Sequence, residues 1–320
     1  MRISKLNAAV VVLVSRKKVF KITLDLFYRN WNSRFNYPVY VHTFGKIFSS
    51  DEKIFFKKKY NNIFFLEIYP QIPDHVKNKD LFYNRFYNDY AYKSFSPLRI
   101  GYLHMCYFAS NITSFGKRGC ISKKLKKYDY IMRIDDDSWF KKKISFDFFK
   151  KLKKYPMATG RLTVTKNNYI GLTRENLFEF IKEYTFKNNI KIKNKKLRFI
   201  LKNNNSAKLN LLQYSLGNLD LYNIKLLKNN NYSSFINKVN KYGGIYKFRW
   251  SDYDLINLFL YIFYNKPIYD LKLRKLDYES SHPLAKKIST NPISIRRIFS
   301  GLFFRFLFFQ IRKRFYKIFC

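Results

Sequence analysis

Acid is scarce in this chain. Its 320 residues hold 21 Asp and Glu against 63 Lys and Arg, a formal charge of +42. Such a balance suits a nucleic acid, an anionic membrane or a phosphorylated substrate, and by itself identifies none of them. The chain is also poor in Gly and Ala and rich in Lys, Asn, Ile, Phe and Tyr, which an AT-rich genome produces without selection for binding. Cysteine is nearly absent. Cys106, Cys120 and Cys320 form no CxxC pair, permit at most one internal disulfide and require no oxidising compartment. No run approaches the roughly 20 apolar residues of a membrane span. Arg2 and Lys5 before a short apolar run faintly suggest a signal peptide. That run, Ala8 to Val14, is at the lower limit for a signal core and has no convincing cleavage site after it, so a buried strand fits better.

What is present is ample material for a core. Hydrophobic residues make up 47% and aromatics 20%, which excludes a disordered protein. AAVVVLV at Ala8 to Val14 is continuously apolar and β-branched, as a parallel strand buried on both faces requires. Phe20, Leu24, Phe27 and Trp31 follow at helical spacing. Tyr37 to Phe44 and Ile63 to Tyr69 read as further strands, with a short basic helix through Lys57 to Lys59 between them. This alternation predicts an α/β protein with a mainly parallel sheet, whose ligands sit beyond the carboxyl ends of the strands.

Pro70 to Ser96 reads as a long loop and Leu98 to Ser110 as a helix, with His104 a satisfied core histidine rather than a ligand. Met157 to Thr165 is expected to be one strand, Leu177 to Tyr184 a helix, and Lys187 to Asn205 a solvated Lys/Asn-rich excursion. The final segment, Ile295 to Cys320, mixes Arg297, Arg305 and Arg312 with many Phe and Leu. It reads as a basic aromatic helix lying on an anionic membrane surface, the alternative being a helix docked on the domain. The expected division is a catalytic domain over 1–292 and this helix over 293–320.

The stretch YDYIMRIDDDSWF, Tyr128 to Phe140, carries the chemistry. A strand there ends in Asp135, Asp136 and Asp137, and alternation places Asp135 and Asp137 on one side, able to meet one hard cation. Such a pair can hold Mn²⁺ or Mg²⁺ against a diphosphate. The alternative is an acidic loop kept soluble by its charge, and the flanking lysines weigh against it. Gln213 to Tyr222, with Asp220, and Tyr242 to Tyr253, with a glycine pair, Arg249, Trp250 and Asp252, are the other chemistry-bearing stretches. Asp252 sits where an acid favours a helix start, beside Ser251 and Asp254 as a capping box, which leaves room for a catalytic role.

Five blocks in order resemble the fungal Golgi α-1,2-mannosyltransferases, glycolipid and glycoprotein enzymes acting from GDP-mannose. NAAVVVLV resembles the family's first strand, RFNYPVYV its RFNYPWVF, and GYLHMCYF its YRHMC helix. YDYIMRIDDD resembles YYYWRVEPD, and GGIYKFRWSDYDL resembles GGFFYERWGDAPV. The resemblance implies a GT-A-type nucleotide-sugar-binding fold and metal-dependent, retaining transfer of mannose to a glycan, glycoprotein or glycolipid hydroxyl. It implies Asp135, Asp137 and His282 as metal ligands. Asp135, Asp137, Arg249, Trp250 and Asp252 would bind the nucleotide-sugar, and Asp252, Asp220 and Ser215 would be catalytic. His282 is chosen in YESSHP where the family has YHH, with Glu279 the other choice. Asp136 replaces a family proline. Ser215 replaces a glutamate proposed as nucleophile, which favours front-face attack, with Asp220 or Asp252 as possible substitutes. No N-terminal anchor precedes the first strand, so a cytoplasmic or peripheral-membrane location is expected, with Golgi residence by family analogy only. The competing readings are a catalytically weak relative that binds nucleotide-sugar or glycan, and a basic nucleic-acid-binding protein, for which no zinc, RRM or helix-turn-helix signature is present.

Overall fold

A computed structural model describes residues 6–82, 100–164, 174–215, 218–265, 267–273 and 278–280. Its centre is strand β1 (Ala8–Val14), with a neighbour on each side and cover on both faces. Ala8 to Val12 are each at most 2% exposed, which is why this strand tolerates no polar residue. β2 (Val39–Phe44) and β3 (Ile63–Ile68) follow on one side and β4 (Tyr130–Asp135) lies on the other, all parallel. β5 (Ser138–Phe140), β6 (Met157–Thr159), β7 (Leu162–Val164), β8 (Gln213–Ser215), β9 (Leu219–Asn223), β10 (Ile268–Asp270) and β11 (Tyr278–Ser280) complete the strands of the described residues. The main sheet runs β10-β6-β9-β4-β1-β2-β3, with β9 antiparallel to both its neighbours. The ribbons β5–β11 and β7–β8 stand beside it.

Alternation along the strands divides the core. Ala8, Val10, Val12, Met132 and Ile134 pack beneath helix α1 (Lys17–Phe27) through Phe20, Leu24 and Phe27. Trp31 follows in a π-helical turn and stacks on Tyr37. Helix α2 (Ser50–Lys59) begins with a full capping box between Ser49 and Glu52 and ends in Lys57, Lys58 and Lys59, where its dipole favours cations. On the opposite face, Ala9, Val11 and Ile131 share a core with α3 (Ile100–Ser110), α4 (Leu177–Lys187), α5 (Lys195–Lys202), α6 (Tyr232–Tyr242) and α7 (Asp252–Phe263).

Two expectations need correction. The Lys/Asn-rich stretch is not merely solvated, because α5 buries Leu197, Ile200 and Leu201 beneath its lysines. The described part of the expected strand Met157 to Thr165 is two short strands, Met157–Thr159 and Leu162–Val164, in different sheets and parted at Gly160 and Arg161. Cys106 and Cys120 are buried free thiols. Among the described residues no helix is long and apolar enough to cross a membrane. Most of the expected loop at 70–96, the segment holding His282, and the 293–320 helix lie outside the described residues.

Candidate active site

Because β1, β2, β3 and β4 are parallel, their carboxyl ends share one edge of the sheet, and the aspartate triplet emerges there. The three acids have different partners. Asp136 Oδ2 accepts the backbone N–H of Ser15 at 2.7 Å and of Arg16 at 2.8 Å, so it satisfies amides at the entry to α1 from 120 residues away. Its other oxygen accepts from Arg16 Nε at 3.0 Å and pairs closely with Nη2, while its own carbonyl accepts Thr23 Oγ1 at 2.8 Å. Asp137 Oδ2 accepts Arg16 Nη1 at 2.8 Å. Asp136 and Asp137 are each 2% exposed. Asp135 keeps 38% of its side chain in solvent. Its pKa is pushed up to about 6 by partial withdrawal from water, against the pull of Arg133 and with the charges of Asp137 and Asp252 adding to the rise.

Arg133 ties this corner to the rest of the crevice. It stands on the face of β4 that carries Ile131 and Asp135, is 5% exposed, and pairs closely with Asp252 Oδ2 through Nη1. Its Nη2 donates to Asp135 Oδ1 at 3.2 Å. Burial works against the guanidinium charge, but Asp252 and Asp135 outweigh it and hold Arg133 well above its ordinary pKa. Asp252 is the first residue of α7, and Ser251 before it is the N-cap, accepting Asp254 N–H at 3.2 Å. The expected capping box is only half formed. The Asp254 carboxylate takes the Ser251 hydroxyl at 2.7 Å and pairs with the buried Arg174.

Asp220 lies opposite Arg133 in the β4–β9 ladder and opposite Thr159 in the β6–β9 ladder. The Ser215 hydroxyl donates to Asp220 Oδ1 at 2.5 Å, and Tyr222 OH to Oδ2 at 3.2 Å. Thr159 Oγ1 is 3.2 Å from Ser215 Oγ. Burial raises the Asp220 pKa, with Arg133 and the Ser215 hydroxyl opposing it. Ser215 and Asp220 are each 2% exposed, so this pair is buried.

The two glycines have separate reasons. Gly243 closes α6 in the left-handed region (φ +79°), and a Cβ on Gly244 would lie 2.0 Å from Trp250 Cε3. Trp250 is fully buried, donates its indole N–H to Glu175 O at 2.8 Å and stacks on Tyr242. Its ring packs in the core against Phe180, Tyr242 and Phe248. Arg249 is held left-handed (φ 56°) with its guanidinium 4.6 Å from the centre of the Tyr102 ring, and its buried Nε has no hydrogen-bond partner among the described residues. His104 is satisfied as expected, with Nδ1 3.0 Å from Tyr246 OH.

Arg133 thus brings Asp135 and Asp252 together, with Asp220 and Ser215 one strand away. Among the described residues no group of three or more His, Cys, Asp or Glu side chains forms a metal site. The hard, partly open carboxylate of Asp135 suits Mn²⁺ or Mg²⁺ as one ligand, whereas Asp137 meets Arg16. The sequence reading did not single out Arg16, Arg133, Thr159 or Arg174. Arg133 had a visible signal, a lone cation in the apolar run IMRI.

A family model described as glycolipid 2-alpha-mannosyltransferase matches residues 1–278. Core-mannan synthase A (CmsA/Ktr4) from Aspergillus fumigatus, in its Mn/GDP form, superposes with a TM-score of 0.70 at 16% identity, over 88% of this chain and 76% of that one. The mannosyltransferase Ktr4p from S. cerevisiae in complex with GDP superposes with a TM-score of 0.67 at 18% identity, over 87% and 71%. No curated protein matches by sequence. The fold is of the GT-A type, a mixed, mainly parallel seven-stranded sheet with helices on both faces.

Proposed function

Given that the chain belongs to the glycolipid 2-alpha-mannosyltransferase family, we propose that it transfers mannose from GDP-mannose to a hydroxyl of a glycan, glycoprotein or glycolipid, with retention of configuration and with the help of a divalent cation. The observation that carries this reading is the buried Arg133 bridge, which joins the acid at the end of β4 to the acid at the start of α7. The manganese- and GDP-bound form of the Aspergillus relative lends support to the nucleotide and the metal.

Asp135 would hold the cation, joined by His282 and, where Arg16 yields, by Asp137. When bound, such a cation neutralises charge on the leaving diphosphate. Arg249, whose Nε has no partner among the described residues, adds a second positive group for the diphosphate. Asp252, fixed by Arg133 at the first turn of α7, orients the sugar hydroxyls. Ser215 and Asp220 are hydrogen-bonded to each other at 2.5 Å, and Asp220 also takes Tyr222, so neither is free to capture the anomeric carbon. This favours front-face attack. The acceptor oxygen bonds to C1 as the C1–O bond to GDP breaks on the same face, and the departing phosphate oxygen takes the acceptor proton.

The test is transfer and donor hydrolysis over a panel of nucleotide-sugars, with and without Mn²⁺. GDP-mannose should be consumed only when the cation is present, and Asp135→Asn should abolish turnover while the circular dichroism spectrum is unchanged. Full turnover in the presence of a chelator would refute the metal role. A second reading, a relative that binds donor without transfer, is favoured by Ser215 standing at the family's glutamate. Ser215→Glu distinguishes the two, since activity appearing only in that variant would establish the second.

A further inference from the structure

We propose that the lysine-rich turn before β4 forms a second ligand site, apart from the transferase crevice, for a compact ring-shaped molecule bearing several phosphate groups. The turn is the 3₁₀ segment Lys123–Lys127, KKLKK. With three residues per turn, positions three apart fall in line. Ser122, Leu125 and Tyr128 form the inward column. Ser122 donates its N–H to His42 Nε2 at 3.3 Å, Leu125 is fully buried, and Tyr128 OH is 3.1 Å from Tyr40 OH. Lys123 with Lys126, and Lys124 with Lys127, are thereby forced into two outward columns. All four are exposed.

These lysines line an open hollow of about 590 Å³ together with Tyr40 and Phe64. Those rings stack at 4.9 Å, and Phe64, at 40% exposed, presents a flat apolar face. None of the four ammonium groups meets a carboxylate among the described residues. Asp129, the nearest acid in sequence, pairs with Lys225 at 3.1 Å, and Glu67 farther along β3 pairs with Lys53 at 2.7 Å. Lys127 Nζ lies over the Tyr128 ring. A neighbouring hollow reached through Lys123 adds Lys117 and Arg118.

The location separates this site from the first. Tyr40 and Phe64 are each the second residue of a parallel strand, and the turn enters β4 from its amino end. The aspartate triplet lies at the carboxyl end of β4, five residues on from Tyr130, or about 17 Å. Four ammonium groups around one aromatic face select phosphates by charge and a ring by contact. The volume falls in the range of small-ligand pockets, roughly 300–1,000 Å³, which suits a free polyphosphorylated ring or a phosphorylated lipid headgroup better than a nucleic-acid chain.

The test is equilibrium binding to the full chain in moderate salt. The probes are inositol hexakisphosphate, inorganic tripolyphosphate, and phosphatidylcholine vesicles with and without phosphatidylinositol 4,5-bisphosphate. Lys124→Glu with Lys127→Glu should weaken inositol hexakisphosphate binding by about tenfold or more, the loss of one charge-assisted contact or better. Phe64→Ala should weaken the ring ligand more than tripolyphosphate. GDP should not compete, and mannosyl transfer by these variants should equal that of the parent. Binding to the soluble probe alone assigns a soluble ligand, and additional binding to the bisphosphate-bearing vesicles assigns a headgroup. Lys57→Glu with Lys58→Glu on α2 makes the same change in charge, so an equal loss in that variant would mean diffuse attraction and overturn the proposal. So would failure of the probes to bind, or tighter binding of a single-stranded oligonucleotide through the same lysines.

Discussion

Replacing Arg133 by Met tests whether the crevice is held together by charge. The side chain is buried, pairs with Asp252 and Asp135, and faces Asp220 across the β4–β9 ladder. Met fills most of the volume but leaves buried carboxylates without their cation. Breaking a buried pair from one side costs about 3–5 kcal/mol, which in a chain of this size lowers Tm by roughly 6–15 °C. The loss should depend on pH. Asp135 and Asp220 already sit above the unfolded carboxylate value of about 3.9, and without Arg133 their folded-state pKa values rise further. The deficit is then full above the variant's folded-state pKa and shrinks as pH falls toward the parent's, which is about 6 for Asp135. Adding Asp252→Leu removes one stranded charge, so the double variant should be less destabilised than the two single losses combined, by about 1–3 kcal/mol. Urea unfolding of the four proteins at pH 7.5 and pH 5 measures all of this. A loss below about 1 kcal/mol, or a deficit that does not change with pH, would refute the reasoning.

His42 is fully buried, and burial pushes its pKa down to about 4, with only the Tyr40 carbonyl opposing. The unfolded chain binds the proton at about pH 6.5, so this histidine should remove about 3 kcal/mol of stability as pH falls from 6.5 to 4. Urea midpoints of His42→Asn should lack that acid-side slope. Gly244→Ala should cost about 1–3 kcal/mol or more by driving a methyl into Trp250, with a changed near-UV signal. Gly101→Ala, whose Cβ meets nothing within 4 Å, should be neutral or stabilising by up to about 1 kcal/mol. Ser215→Glu should destabilise by more than about 2 kcal/mol, because its carboxylate is forced against buried Asp220, and should not raise transfer.

The strands that frame the crevice were legible because two-sided burial leaves a direct mark, a run such as AAVVVLV in which every position is apolar. The acids at the end of β4 and the start of α7 were legible from type and position. Their division of labour was not. Asp135, Asp136 and Asp137 are adjacent and chemically identical, yet one faces solvent, one caps amides before α1 and one meets Arg16. What separates them is the placement of β1 beside β4, which no local pattern encodes. Trp250 shows the same limit. Its neighbours in the sequence point to a ligand, while Gly244 and Glu175 hold its ring in the core.

The grip of Asp136 on the amides of Ser15 and Arg16 makes the first turn of the protein and its acidic corner a single cooperative object. Neither can be complete before the two strands that carry them, far apart in the chain, have docked side by side. Deuterium uptake at those two amides should therefore follow the integrity of the distant carboxylate corner. A lesion at position 136 should loosen the entry to α1 before it disturbs the rest of the sheet.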